Sequence, residues 1–217
     1  VELGHLFTGE PQADAPGAIG RARLYDTFSA VVFAGRRRRT FGALVDLSGA
    51  QPGDRVLDVG CGPGYLTALA ARAVSPGGEA VGIDPSAPMI NRARRVRGSA
   101  NCSFELGKAE ALAAPDESFD VVVSSLALHH VPEPGRATAV REMFRVLRPG
   151  GRIVLADYHP SHGHFGGRLV GAAMRHNPVE RIAPMIRDAG FAAVTDGDLP
   201  PFLYYVRAIR PETRVQQ

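Results

Sequence analysis

The stretch Arg55-Val56-Leu57-Asp58-Val59-Gly60-Cys61-Gly62-Pro63-Gly64-Tyr65 decides how this chain is read. Its first half is a short apolar run suited to a buried strand, and its second half sets glycine at 60, 62 and 64. Helical spacing from Tyr65 to Val74 follows, so the unit is strand, tight turn, helix. Upstream, Gln51-Pro52-Gly53-Asp54 is a turn signal. Downstream, Pro76-Gly77-Gly78 leads into a strand over Glu79–Ile83 and a helix over Ala87–Val96, with Ser86 as its expected cap. Strands are predicted over Asn101–Leu106 and Phe119–Ser124, the latter with a Val121-Val122-Val123 run suited to burial on both faces. A helix over Arg136–Leu147 ends at Pro149-Gly150-Gly151, and a fifth strand covers Arg152–Tyr158. A helix over Val179–Ala189, stopped by Gly190, precedes strands over Phe191–Thr195 and Phe202–Ile209.

Strands alternating with helices predict an α/β fold, a Rossmann-like doubly wound sheet of seven strands built from right-handed crossovers. The last two strands are too close in sequence for a crossover, so they should pair as an antiparallel hairpin. Residues 1–50 read as an N-terminal arm with cap helices, and 51–217 as the ligand-binding domain. Within the first part, Gly35 and the run Arg36 to Arg39 should split the helical pattern from Arg21 to about Ser48 into two helices.

At 217 residues, 45% apolar and 22% charged, the chain has enough material for one globular core. It has no run of about 20 apolar residues, so no membrane span is expected. Val1 to Gly9 lacks an apolar leader core, which argues against secretion. Cys61 and Cys102 make no disulfide framework, and a reducing cytoplasmic setting is the expectation. The net charge is +3 with a pI near 9.2, and Lys108 is the single lysine among arginines. That balance permits an acidic partner without demanding nucleic acid. The Arg36 to Arg39 run reads as a solvated helix face or hinge; peripheral contact with acidic lipid or a phosphorylated substrate is the alternative.

Glycine-rich turns after a first strand serve several ligand classes, and two details separate them here. The dinucleotide fingerprint needs a third glycine where this chain has Tyr65. Asp58, two residues ahead of the loop, would repel a pyrophosphate and attract an ammonium or sulfonium. Asp84 closes the second strand, where an acid can accept hydrogen bonds from both ribose hydroxyls. Met89, one turn into the next helix, could pack on adenine or ribose. These features favour a cationic, phosphate-free nucleoside such as S-adenosyl-L-methionine.

The strings Val56–Gly64 and Val81–Met89, with Gly107–Leu112, Phe119–Val131 and Glu142–Gly151, resemble class I S-adenosylmethionine-dependent methyltransferases. The resemblance runs from about Arg55 to Tyr158 and is to the ubiquinone/menaquinone-biosynthesis type and its small-molecule relatives. It implies that Asp58, Gly60 and Gly62 hold the methionine moiety, with Cys61 inside the same loop. Asp84 and Pro85 would meet the ribose. Ala109 would offer its backbone to adenine between Lys108 and Glu110, and Ser125 would line the methionine side. Tyr25-Asp26 resembles an N-terminal pair that lies over the cofactor. One departure stands out: Lys108 occupies a position where the family has Asp or Asn, and lysine cannot accept the adenine amino hydrogen bond. Glu110 and backbone groups are expected to substitute.

Methyl transfer from a sulfonium is an in-line displacement that needs positioning above all. If the acceptor must lose a proton, the candidate bases are His129 and His130 after the fourth strand, and Asp157, Tyr158, His159, His162 and His164 after the fifth. His159 and His130 are the leading candidates, and the dull reading of His129 and His130 is loop packing. The spacing of His159, His162 and His164 lacks a metal-binding helix pattern, so no metal is expected. The apolar set within Phe165–Met174 reads as an edge-covering helix or a substrate lid. A small-molecule acceptor is expected. Ser124-Ser125-Leu126-Ala127 carries no base-flipping motif, which argues against a nucleic-acid substrate. A binding protein without catalysis is the further alternative, and oligomeric state is open.

Overall fold

The computed structural model describes residues 36–159 and 179–212. In chain order these form α1 (Arg37–Ser48), β1 (Arg55–Val59), α2 (Tyr65–Ala73), β2 (Glu79–Asp84), α3 (Ala87–Arg97), β3 (Cys102–Leu106) and β4 (Phe119–Ser125). A 3-10 turn over Leu128–His130 follows, then α4 (Glu133–Val146), β5 (Leu147–Tyr158), α5 (Val179–Asp188), β6 (Ala192–Leu199) and β7 (Leu203–Ile209). The strands form one seven-stranded sheet in the order β3-β2-β1-β4-β5-β7-β6. β1 to β5 are parallel, and β7 runs antiparallel between β5 and β6, as the short final connection requires.

Side chains alternate across this sheet, so each face has its own core. Val56, Val121, Val123, Val154 and Ala156 meet α1, α2 and α3 on one face. Leu57, Val122, Ile153, Leu155 and Val206 meet α4 and α5 on the other, where Ile182 and Ile186 are fully buried. Burial on both sides explains why β1 and β4 read as continuous apolar runs. β6 at the open edge is largely exposed and carries Asp196 and Asp198, a guard against edge-to-edge pairing. Among the described residues no helix is long and apolar enough to cross a membrane.

Arg37 to Arg39 form the first turn of α1, whose Phe41, Leu44 and Val45 are buried, and Gly35 with the chain before it lies outside the described residues. Arginine is a good helix former, so the run is compatible with a helix start. Two local expectations need correction. Ser86 precedes α3 but its hydroxyl makes no cap bond. Pro88 removes the backbone donor at the second helical position, one of the two such a cap would serve. Finally, α4 passes into β5 without a separate turn, and Pro149-Gly150-Gly151 lie inside the extended segment. The register with β4 shifts there, between Phe119 and Val121, and Gly150 has φ +77°. The N-terminal arm, Tyr25-Asp26, His162, His164 and the Phe165–Met174 set lie outside the described residues.

Candidate functional site

The cleft is built on the loop from β1 to α2 at the C-terminal end of the sheet. Gly60 and Cys61 both donate their backbone N–H to the carbonyl of Ile83 (2.7 and 3.0 Å), which locks the loop onto β2. Gly60, Gly62 and Gly64 all have positive φ, a conformation that costs an L-residue with a Cβ. They differ in surroundings. A Cβ on Gly60 would stand 2.2 Å from Cβ of Ala127, and one on Gly64 would stand 2.3 Å from the Phe104 ring. A Cβ on Gly62 would meet nothing within 4 Å. Two glycines therefore have no room for a Cβ, whereas the space beside Gly62 is open.

Each carboxylate has a distinct environment. Asp58 is 1% exposed and accepts a hydrogen bond from the Thr67 hydroxyl at 2.6 Å. Burial pushes its pKa from 3.8 to about 7; Thr67 opposes the rise through its side chain and backbone, and Asp84 adds to it. Asp84 accepts the Gly62 N–H on Oδ2 (2.9 Å) and the Ser86 N–H on Oδ1 (2.8 Å). Its pKa is also raised by burial, against the pull of those two donors. Each Asp84 oxygen has a lone pair left over.

Asp58, Gly60 and Gly62 line a small open cleft, together with Arg37, Tyr65 and Ser125. The guanidinium of Arg37 lies 4.1 Å from the centre of the Tyr65 ring, a cation–π contact that fixes a positive charge at the cleft wall. Ser125 Oγ is buried and makes no hydrogen bond among the described residues. An orphaned hydroxyl at a cleft wall is a polar group placed for a ligand. Cys61 is buried with its Sγ packed beneath Gly82, and burial pushes the thiol up, which leaves it inert. Met89 is half-buried and Pro85 is exposed.

Lys108 is exposed, while Ala109 and Glu110 are half-buried. Glu110 lies against the first turn of α4, its Oε1 3.2 Å from where a Cβ on Gly135 would be. The segment is pinned from behind. The Leu112 N–H donates to Glu142 Oε2 (2.9 Å), and Arg145 donates to the carbonyls of Leu112 and Ala114 (both 2.9 Å). Two residues of the Glu142–Gly151 string thus hold the Lys108–Ala114 segment in place.

The histidines separate. His129 Nδ1 lies 2.8 Å from Oδ1 of Asp157, which is fully buried at the end of β5. His130 lies against it, with ring centroids 4.0 Å apart and the rings tilted by 44°. His130 is exposed on one side, yet the packing of its inner face, and then the neighbouring His129, lower its pKa to about 4; Asp157 opposes this weakly. It is neutral at physiological pH. His159 follows β5, 3.4 Å from the exposed Asp198, with its ring against Tyr204. The sequence-favoured His159 and His130 are thus not paired with a buried carboxylate, whereas His129 is. Arg37 and the His129–Asp157 pairing were missed by sequence reasoning. The 28-residue gap between His129 and Asp157 closes only because β4 and β5 are neighbours in the sheet.

Against known proteins, residues 56–151 match a family described as a methyltransferase domain. A demethylmenaquinone methyltransferase of Renibacterium salmoninarum is 41% identical over 145 residues, covering 66% of this chain and 58% of that protein. A ubiquinone/menaquinone biosynthesis C-methyltransferase of Vibrio vulnificus is 37% identical over 141 residues, covering 63% and 54%. The chain thus spans little more than half the length of these two curated relatives. Among solved structures, a SAM-dependent methyltransferase from Aquifex aeolicus superposes with a TM-score of 0.67 at 20% identity, covering 81% of this chain and 93% of that one. At that identity the likeness concerns the fold.

Proposed function

Because the chain belongs to the class I S-adenosylmethionine-dependent methyltransferases, we propose that it moves a methyl group from S-adenosylmethionine to a small-molecule acceptor, in line and without a metal. The observation that carries this reading is a glycine-lined cleft with the buried carboxylate of Asp58 in its wall, its loop held through the Gly62 N–H by a second buried carboxylate, Asp84, at the end of β2. The bound cofactor supplies an electrophilic methyl group on a sulfonium. The protein's share is binding and alignment.

Asp84 is suited to the ribose hydroxyls through its two remaining lone pairs. Asp58 faces the cationic methionine end, the cleft is open beside Gly62 there, and Ser125 Oγ offers a hydrogen bond on the same methionine side. Ala109 would present its backbone to adenine, since Lys108 points outward and Glu110 lies against α4. Arg37 is the cation at the cleft wall, and we assign it to the α-carboxylate of the methionine moiety. Replacing Arg37 with glutamine should weaken S-adenosylmethionine binding about tenfold, the scale of one charge-assisted hydrogen bond. The same change should leave decarboxylated S-adenosylmethionine unaffected. Equal losses for both ligands in calorimetry would remove Arg37 from that role.

The raised pKa of Asp58 sets a pH dependence. Below about 7 the ligand-free protein holds a proton on Asp58, and a cationic ligand favours the ionised form. Binding at pH 6 should therefore release a proton, and affinity should rise as pH climbs towards 7, then level off. Stability of the ligand-free protein has the opposite slope. Between the ordinary 3.8 and about 7 the folded state holds the extra proton, so this contribution to stability declines as pH rises through that window. Calorimetry in buffers of different ionisation heat measures the released proton, and Asp58→Asn should abolish it. An unchanged proton release in that variant would point to another group.

Transfer itself is tested with methyl-labelled S-adenosylmethionine and a panel of phenolic, quinol-like and lipid-like acceptors. Label should move to a small molecule. Label moving instead to nucleic acid added to the same mixture would contradict the reading.

A further inference from the structure

Two strands beyond the ribose-binding edge, the ends of β4 and β5 lie side by side, with Ser125 opposite Ala156. Ser125 lines the cleft, and the 3-10 turn carries His129 back against the end of β5. There Asp157, without exposed surface, accepts among the described residues the Tyr158 N–H at 2.7 Å, the His129 N–H at 3.3 Å and the His129 ring at 2.8 Å. The imidazole is therefore oriented with Nδ1 towards the carboxylate and Nε2 away from it. Among the described residues nothing hydrogen-bonds to that Nε2. The side chain of His129 is 14% exposed, so it is sheltered without being sealed.

We propose that His129, oriented by Asp157, is the proton acceptor of the transfer step, and that the substrate is therefore a hydroxyl or a neutral amine with an N–H rather than a nucleophile without a proton. The inference rests on the methyl-transfer reading above. In the step, the nucleophile's lone pair forms the bond to the methyl carbon while the carbon–sulfur bond breaks, its electron pair staying on sulfur. The proton of the nucleophile passes to Nε2 of His129 and afterwards to water. Asp157 opposes the charge that develops on the imidazole, as a buried carboxylate does in hydrolytic triads. The other charged or titratable groups against His129 are His130 on the same turn and Arg136 of α4, whose Nη2 donates to the His129 carbonyl at 3.3 Å.

The pair could instead be a stitch between the β4 turn and β5, and one variant separates the two roles. His129→Asn keeps an amide N–H for Asp157 but has no basic nitrogen. The full chain with S-adenosylmethionine is assayed on two probes, a catechol, which carries a proton, and iodide, which carries none. His129→Asn should slow catechol methylation by about 100-fold or more near neutral pH and leave iodide methylation within about twofold. The catechol rate should recover above the pKa of the phenol, where no base is needed. Asp157→Asn should shift the acid limb of the catechol pH profile. Equal losses on both probes, or none on either, would overturn the proposal. So would wild-type transfer to iodide together with none to any acceptor bearing O–H or N–H. If the cofactor binds and neither probe reacts, nitrogen NMR of the complex with the demethylated cofactor decides. A Nδ1–H ring whose Nε2 shifts on adding catechol supports the role, and an Nε2–H ring or an unmoved Nε2 overturns it. Absence of cofactor binding would instead be a failure of the methyl-transfer reading.

Discussion

Asp84→Ala is expected to weaken S-adenosylmethionine binding by about 100-fold or more while leaving the sheet intact. The two ribose hydroxyls would each lose a charge-assisted acceptor worth about 1.5–3 kcal/mol, and each 1.4 kcal/mol is roughly a factor of ten. The same carboxylate fixes the loop through the Gly62 N–H and orders the start of α3 through the Ser86 N–H. Its removal therefore also loosens the groups that would face the methionine moiety. Asp84→Asn keeps an acceptor oxygen at one position and should lose less affinity. Titration calorimetry on both variants, with circular dichroism to check the fold, reads the difference. Wild-type affinity in the alanine variant would mean the ribose lies elsewhere.

The second large effect is on stability. Gly60→Ala places a methyl 2.2 Å from the Ala127 methyl in a backbone conformation with φ +76°. The left-handed backbone costs about 1–2 kcal/mol, and overpacking adds about 1–3 kcal/mol. Neither methyl has a rotamer by which to escape. For a chain of this size the sum corresponds to a melting temperature lower by roughly 10 °C. Gly62→Ala, with nothing within 4 Å, should melt closer to wild type and lose ligand affinity instead. A reversed order of the two variants would show that the two glycines have been assigned the wrong roles.

Much of the fold was legible because its strands are buried on both sides. Val121-Val122-Val123 and Val56-Leu57 announce themselves when every position must be apolar. The antiparallel hairpin followed from chain length alone. Boundaries were harder where local signals compete with context. Pro149-Gly150-Gly151 looks like a turn, yet it lies within β5 because Arg210 exchanges backbone hydrogen bonds with Gly150 and Gly151, while β4 pairs on either side of it at Leu147 and Arg152. Pro88 removed one of the two donors for the cap that Ser86 seemed to offer, and no cap bond forms.

The candidate site divides the same way. Asp58, the three glycines and Asp84 lie within one β-α-β unit, so their spacing carries their geometry. The Thr67 hydroxyl on Asp58, Arg37 at the cleft wall and the His129–Asp157 pair each depend on which elements are neighbours in space. A search for bases among loop histidines could not rank them, since the deciding feature is a buried carboxylate from another strand.

The most direct measurement is a titration of the full chain with S-adenosylmethionine and, separately, with NADH at pH 7.5. The account predicts saturable heat with the first that Asp84→Ala largely removes, and none with the second. Saturation by the dinucleotide, with no heat from the sulfonium ligand, would contradict it.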